Sequence, residues 1–462
     1  GAARDQGLVD RAVSRGVGGA ERADATYTRP TIGAPAARSD AAVIGFLAFI
    51  GVLMAYGIDA ALPAYDELGA DFDLDDRGVS PAIVGTPYFV GAAIGQLGFG
   101  VAADRFGRRS TLLVGFAVYG LAAVGSAVAD ELWLLLGARF MWGIGAAAPS
   151  VLRFAIARDL YEGDRLARVI STFSAVFLLG PIFVPFAGEA IVAVGSWRTV
   201  FVVAVPPAAI AMVWTSAFGE TLAPKHRRPL QVAPIVEGFR AVVRTRVTRW
   251  VVVSQVFIAG SFFIWLGSAQ PIIDVVYDRD DQFTIFFGLS GAGMALALLF
   301  NNRLIDRFGT RRMVRLASTG FVTVTAIGLI VTLATDGTPS FALWFGWAIL
   351  ANACSMVIGP MSASLALEPM EDKAGTASAL LGVAQFGLGA LLAAVVDAQV
   401  GSTVTPMLVG SLVYGLISLA ALLVALAALS ESELSHSAAG SEARPSGARP
   451  PGLASSAARL DT

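Results

Sequence analysis

Stretches of about 20 mostly apolar residues alternate with short polar links along most of this chain. Twenty residues wound as an α-helix span the roughly 30 Å hydrocarbon core of a bilayer. The pattern therefore predicts an all-α membrane protein with twelve membrane-spanning helices, at 41–65, 81–103, 110–128, 131–157, 166–194, 197–218, 247–273, 282–303, 313–334, 340–366, 374–397 and 404–429.

The longest internal polar segment, at 219–246, falls between the sixth and the seventh of these spans. It predicts a basic cytoplasmic linker between an N-terminal six-helix bundle at 41–218 and a C-terminal six-helix bundle at 247–429. Residues 1–40 and 430–462 lack an apolar period and are predicted to be disordered cytoplasmic tails.

Positive charge collects in the links that follow even-numbered spans, for example at Arg105, Arg158 and Arg303. Links after odd-numbered spans are richer in acids. Because arginine-rich links stay on the cytoplasmic side, both termini are predicted to be cytoplasmic in a multi-pass protein of the cell (inner) membrane. The basic linker either binds anionic membrane lipid or only fixes this topology. The acidic outer loop at 66–77 is either a mouth that attracts cations or a solvated surface loop.

A short motif recurs at corresponding places in the two halves. Glycine suits the tight turn between two spans, and a carboxylate there can meet the positive N-terminus of a neighbouring helix. The first copy contains Gly100, Asp104, Arg105, Gly107, Arg108 and Arg109. The second copy contains Asp306, Arg307, Gly309, Arg311 and Arg312. Two copies at the same place in two halves indicate an internal repeat.

Composition agrees with a membrane protein and excludes several other classes. The chain is 55% hydrophobic and 15% charged, whereas a soluble globule is nearer a quarter charged. One cysteine and two distant histidines give neither a disulfide nor a Cys/His metal cluster. A net charge of -2 predicts no nucleic-acid partner. The sequence shows no nucleophile–base set and no nucleotide loop, so we do not predict an enzyme.

Charges inside the spans are costly and usually functional. Asp59 lies in the first span, Arg139 and Arg153 in the fourth, and Glu189 in the fifth. A carboxylate in a partly dry cavity has a raised affinity for protons, and a nearby arginine lowers that affinity. A substrate that disturbs the carboxylate–arginine pair therefore changes how much of the carboxylate is protonated. Alternatives stay open, since Asp59 and Glu189 also fit the outer membrane interface and Arg153 can snorkel to the cytoplasmic one.

Glycine and proline in the spans suggest close packing and bending. Gly91, Gly95, Gly143 and Gly145 permit close helix approach, and Gly180-Pro181 is expected to bend the fifth span. Aromatic and amide side chains that face a cavity would suit an apolar, weakly polar ligand. The candidate substrate-binding residues are Tyr56, Tyr88, Phe177, Phe262, Phe263, Trp265, Asn352 and Gln385.

On these residues the segment from about 41 to 429 resembles the major facilitator superfamily (MFS). It is similar to the twelve-span drug:proton antiporters of the Bcr/CflA branch, which confers resistance to bicyclomycin, chloramphenicol and florfenicol. The resemblance rests on the first loop motif, on Asp59 followed by Pro63, on Arg139 with Gly143 and Gly145, and on the fifth-span glycines and prolines. Trp142 and Glu189 depart from the branch's usual Gln and Gly, and the spacing of Arg153 from Arg158 matches only loosely.

The resemblance implies two pseudo-symmetric six-helix bundles around a central cavity, and proton-coupled efflux by alternating access. The exported compound would be a small amphipathic drug or antibiotic, such as a phenicol or a bicyclomycin-like molecule. The proton-coupling residues would be Asp59, Arg139 and Glu189. The first loop motif would latch the cytoplasmic side, with Asp104 approaching the segment near Gly375 and Thr376.

Two other interpretations remain, namely proton-linked transport of a specific metabolite and a receptor or scaffold that does not transport. The duplicated motif and the intramembrane charges disfavour the second. We expect no cofactor besides protons as the coupling ion, and a monomer that takes a small-molecule substrate.

Overall fold

The computed structural model describes residues 39–74, 76–227 and 233–442; within them, the side chains at 371–376, at 432–442 and at a few other positions are not described. Secondary structure in this part of the chain is helical. Twelve of its helical segments are long and apolar enough to cross a membrane. The predicted twelve-span, all-α architecture is confirmed.

Three of the first six spans are single helices, and the first, fifth and sixth each contain two helices. The helices are Asp40–Asp59 and Tyr65–Asp71 (first), Thr86–Phe106 (second), Arg108–Ala127 (third), Leu132–Leu160 (fourth), Gly163–Leu178 and Gly180–Val194 (fifth), and Trp197–Val203 and Val205–Phe218 (sixth). The 3-10 turn Leu62–Ala64 joins the two helices of the first span, and the turn Pro81–Val84 begins the second span.

The last six spans repeat this arrangement. The helices are Arg246–Pro271 (seventh), Phe283–Phe308 (eighth), Thr310–Ala334 (ninth), Phe341–Leu367 (tenth), Ala374–Val383 and Gly389–Asp397 (eleventh), and Thr405–Glu442 (twelfth). A widened π-turn at Ile272–Val276 ends the seventh span, and another at Ala384–Leu388 interrupts the eleventh.

The fifth span breaks where its sequence predicts a bend. One helix ends at Leu178 and the next begins at Gly180, with Pro181 in its first turn. Proline lacks a backbone N–H and fits the first turn of a helix, so the break falls there. Phe177 and Pro181 flank this break and both line the central cavity.

Glycines hold the second and fourth spans in close contact. Adding a Cβ to Gly91 would clash with the Phe140 carbonyl, and adding one to Gly143 would clash with the Tyr88 carbonyl. Close backbone approach of this kind is what small residues permit between membrane helices. The contacts at Gly91 and Gly143 fix the position of the fourth span against the second. The fourth span carries both intramembrane arginines.

Two polar segments contain helix. The linker, for which no secondary structure was predicted, includes the helix Ala233–Arg244, whose last turn carries Arg244. The last helix continues to Glu442, into the segment predicted as a disordered tail from 430 onward. Hydrogen bonds within the helix carry it past the apolar stretch, a local effect that hydrophobic periodicity does not report. Residues 1–38 and 443–462, which make up most of both predicted tails, lie outside the described residues.

Candidate functional site

A cavity of about 580 Å³ lies between the two halves. Its lining comes from the first, second, fourth and fifth spans on one side and from the seventh, eighth, tenth and eleventh on the other. Most lining side chains are apolar, among them Met54, Ile58, Phe89, Met294 and Met356. A largely apolar cavity of this size suits a drug-sized molecule.

Asp59 brings a carboxyl group to this cavity. The first helix ends at Asp59, and its side chain lines the cavity together with those of Met54, Ala55 and Ile58. Residues at this spacing share one face of a helix. Asp59 is 4% exposed. Among the ion pairs described for this structure, none involves Asp59.

Arg139 lies behind the first helix and outside the lining of the large cavity. It is 2% exposed, and its guanidinium donates to the carbonyl oxygens of Gly57 (2.8 Å) and Val84 (3.2 Å). The rings of Tyr88, Trp142 and Phe201 surround its Cζ at 4.9–5.6 Å. Its side chain borders a separate void of about 20 Å³. Arg139 therefore braces the outer end of the first helix and forms no described ion pair with Asp59.

Arg153 is the cation that lines the large cavity, among the described residues. It is 8% exposed, and its Nε and Nη1 atoms have no hydrogen-bond partner among them. Phe154, Phe173 and Phe177 place their ring centroids 4.9, 5.8 and 4.5 Å from its Cζ. It therefore does not snorkel to the membrane surface.

Glu189 lies apart from Asp59, Arg139 and Arg153. Its neighbour Gly188 faces the backbone of Ala60 in the first span, whereas Glu189 is exposed and does not line the cavity. Adjacent residues on a helix point about 100° apart, so a carboxylate next to the packed glycine is turned away. The prediction that Glu189 belongs to the proton-coupling set is corrected on this geometry.

Most of the predicted ligand-facing aromatic residues reach the cavity, together with one amide. Those that line it are Phe177, Phe262, Phe263, Trp265 and Gln385. Phe263 and Phe386 also pack against Phe89 across the two halves, with ring centroids 4.4 and 6.4 Å away. Their role in substrate binding stays a prediction.

Tyr56, Tyr88 and Asn352 are corrected, because each is turned away from the cavity. The Tyr56 hydroxyl donates to the Val200 carbonyl at 2.7 Å, toward the sixth span. The Tyr88 hydroxyl donates to the Met54 carbonyl at 3.1 Å, and the residue borders only the small void. The Asn352 amide donates to the Ala348 carbonyl of its own helix.

In the first copy of the motif, Arg108 holds a network of charges. Gly107 has φ 98°, a backbone conformation that favours glycine. Arg108 donates to Asp104 at 2.7 Å and to Asp159, at the end of the fourth span, at 3.0 Å. The Glu220 carboxylate accepts the Arg108 backbone N–H at 2.8 Å, which caps the third span. The network ties together the ends of the second, third, fourth and sixth spans on the side that is predicted to be cytoplasmic.

The second copy repeats the turn but makes a weaker network. Gly309 has φ 78°. Arg311 binds Glu368, at the end of the tenth span, at 3.2 Å, and both side chains are more than a third exposed. The guanidinium groups of Arg307 and Arg312 lie over the Phe308 ring. Comparing the span ends of the two halves would have revealed Asp159 and Glu368 as partners of the motif arginines. Gly375 and Thr376, the predicted contact of Asp104, have side chains outside the described residues.

The two halves meet at the end of the cavity that is predicted to be outer. Gln270 of the seventh span donates to Asp66 at 2.7 Å. A Cβ on Gly267 would lie 3.1 Å from the Ala82 side chain. The acids of the loop at 66–77 partly serve packing here, since Asp71 binds Arg198 at 2.7 Å.

Asp397 is a buried carboxyl group at this closed end. It is 5% exposed, accepts a hydrogen bond from Ser268 at 2.5 Å, and borders the same small void as Arg139. Asp397 stands at the end of the eleventh apolar stretch, where boundary residues are common. Nothing in the local pattern distinguishes it, because the side chain that binds it, Ser268, belongs to a distant span.

Comparison with known families gives one match over most of the chain. The family model described as Major Facilitator Superfamily matches residues 46–394. A Bicyclomycin resistance protein homolog of Haemophilus influenzae is 30% identical over 366 residues, covering 78% of this chain and 90% of that protein. A Multidrug resistance protein MdtL of Salmonella heidelberg is 27% identical over 361 residues, covering 77% and 88%. These relatives are consistent with the Bcr/CflA branch.

Solved structures share the fold at low sequence identity. A D-xylose-proton symporter matches with a TM-score of 0.67 at 15% identity, covering 83% of this chain and 96% of that one. An inward-open structure of the xylose transporter XylE from Escherichia coli matches with a TM-score of 0.66 at 16% identity, covering 84% and 96%.

Proposed function

This chain belongs to the Major Facilitator Superfamily, and we propose that it exports a small amphipathic drug or antibiotic in exchange for protons. As a member of this family it is a multi-pass membrane transporter and not an enzyme. Two relatives carry printed names that refer to bicyclomycin resistance and to multidrug resistance. We place the protein in the inner membrane as a monomer, with both termini cytoplasmic.

The observation that carries the proposal is the position of Asp59. Its carboxyl group is buried, lines the large cavity and takes part in no described ion pair. Ionisable groups inside a membrane protein that face a cavity are the usual sites of ion coupling. In this model Asp59 takes up a proton from outside and gives it up on the cytoplasmic side, and a bound substrate and the proton exclude one another.

Arg139 acts on Asp59 through the backbone. It donates to Gly57, two residues before Asp59, at the place where the first helix ends. A guanidinium there fixes the helix end and thereby the direction of the Asp59 side chain. The outer contact between Gln270 and Asp66 and the cytoplasmic network around Arg108 serve as the two gates of alternating access.

The first test is the drug susceptibility of an efflux-deficient bacterium that expresses the chain. The panel contains phenicols and bicyclomycin, each with and without a protonophore. We expect raised resistance that the protonophore abolishes. Asp59→Asn and Arg139→Ala should lose the resistance at unchanged membrane abundance.

The matched control is Glu189→Gln, which removes an exposed carboxylate from another span and should leave resistance unchanged. Normal export by Asp59→Asn would remove the basis of the proposal. Protection against no compound, with the protein present in the membrane, would favour proton-linked transport of a specific metabolite.

A further inference from the structure

Arg153 occupies a chemically unusual position for a membrane-embedded cation. It is 8% exposed, and its Nε and Nη1 atoms have no hydrogen-bond partner among the described residues. Burial of an unpaired charge is costly, and aromatic contacts offset only part of that cost. The three surrounding phenylalanines therefore fix the direction of the guanidinium but supply no hydrogen-bond acceptor for its N–H groups.

The guanidinium lines the large cavity, and the cavity wall supplies no carboxylate close to it. The described carboxyl group in the lining is that of Asp59. A Cβ on Gly51 would lie 2.7 Å from Arg153 Nη1, which places Arg153 level with Gly51 on the first helix. Asp59 is eight residues further along, a distance of about 12 Å at 1.5 Å per residue. The two charges are thus separated by about two turns along the first helix.

The rest of the lining is suited to the apolar body of a ligand. Met54, Ala55 and Ile58 of the first helix lie between the levels of Gly51 and Asp59, and Phe262 and Phe263 of the seventh span also line the cavity. Gln255, another lining residue, donates from Nε2 to the Gly359 carbonyl at 2.8 Å, and its Oε1 accepts no hydrogen bond from the described residues. An apolar body would pack against the apolar lining, and its polar group would reach one of the two charges.

We propose that the transported compound carries a carboxylate, and that Arg153 binds this carboxylate while the apolar body lies along the aromatic wall of the cavity. Nε and Nη1 are enclosed, so a ligand carboxylate would approach the remaining nitrogen, Nη2, and accept a charge-assisted hydrogen bond that a neutral group cannot equal. One buried cation balances one negative charge, which favours a singly charged acid over a phosphate ester. This inference rests on the proposed export function and departs from its named examples. Phenicols and bicyclomycin carry no carboxylate, so antibiotics that carry one join the susceptibility panel.

The test compares the binding of two matched probes to the purified protein in detergent at pH 7.5. The probes are 6-(2-naphthyl)hexanoic acid and its primary amide, which share an apolar body and differ in the charge of the head group. We expect the acid to bind to the wild-type protein at least tenfold more tightly than the amide, because hydrogen bonds to a charged group are stronger than neutral ones. Equal affinities, or no binding of the acid, would overturn the inference.

Variants of Arg153 test whether this side chain causes the preference for the acid over the amide. Arg153→Gln should bind the acid and the amide equally, and Arg153→Lys should keep part of the preference because it keeps the charge. Retained binding of the amide by Arg153→Gln shows that the cavity is still folded. Arg165→Gln is the matched control, since Arg165 is an exposed arginine that pairs with Asp40 at 2.7 Å, and it should keep the full preference for the acid. A preference for the acid that survives in Arg153→Gln contradicts the assignment.

The binding measurement uses no proton gradient. Failure of proton-driven export in cells and failure of carboxylate recognition therefore give separate results. Loss of protonophore-sensitive resistance together with an intact preference for the acid would refute the transport mechanism and support the Arg153 subsite.

Discussion

Gly143→Ala is expected to destabilise the first six-helix half, because the second and fourth spans touch at this position. A Cβ on Gly143 would lie 2.8 Å from both Ala92 N and Tyr88 C, and it would overlap the Tyr88 carbonyl oxygen. Ordinary van der Waals contact begins at 3.4 Å. All of these atoms are backbone, so no side-chain rotation relieves the overlap, and the two helices must separate by roughly an ångström or more.

The cost follows from two opposing effects. Overpacking of a close contact costs about 1–3 kcal/mol, whereas exchanging glycine for alanine within a helix returns about 0.5–1 kcal/mol. Gly137 lies on the same helix, and a Cβ there meets nothing within 4 Å. Gly137→Ala therefore carries the helix-propensity gain without the steric cost, which makes it the matched control.

The assay is thermal unfolding of the purified protein in one mild detergent, followed by intrinsic fluorescence. Gly143→Ala should unfold several degrees below the wild type, and Gly137→Ala at or slightly above it. The double variant should equal the sum of the two changes if the sites are independent. Equal unfolding temperatures for Gly143→Ala and Gly137→Ala would show that these helices do not pack as closely as described.

The charge networks give the remaining stability predictions, all measurable by the same unfolding assay. Asp159→Asn should cost about 1–3 kcal/mol, because Asp159 binds the buried Arg108 at 3.0 Å. Glu368→Gln, which removes the exposed counterpart bound to Arg311 at 3.2 Å, should cost less than about 1 kcal/mol. Glu220→Gln should cost about 1 kcal/mol by weakening the cap of the third span, and a cost no larger than that of Glu368→Gln would contradict this account of the cap.

The number and order of the spans could be predicted from the sequence because each span needs its own apolar stretch. The side of each span that faces the cavity could not be predicted as well. Tyr56 and Asp59 lie three residues apart on the first span, yet only Asp59 lines the cavity. A membrane helix can be apolar on its lipid-facing side as well as toward its neighbours, so apolar periodicity does not separate the two faces.

Contacts between distant segments explain the other differences. Glu220 follows the sixth span and caps the third, 112 residues away, and no local motif announces such a pairing. Asp397 resembles a boundary residue until the seventh span places Ser268 against it. The repeat offered partial help, because the ends of the fourth and tenth spans both supply an acid to the motif arginine.

The two arginines of the fourth span show how one helix gives the same side chain two different roles. They are fourteen residues apart, close to four turns, and both contact the first helix. Arg139 meets that helix near its end at Asp59, where carbonyl groups lack helical partners, and it binds the carbonyl of Gly57. Arg153 meets it at Gly51, in mid-helix, where the carbonyls are already used in the helix. The first arginine therefore has acceptors supplied by the protein, and the second is left to take them from a ligand.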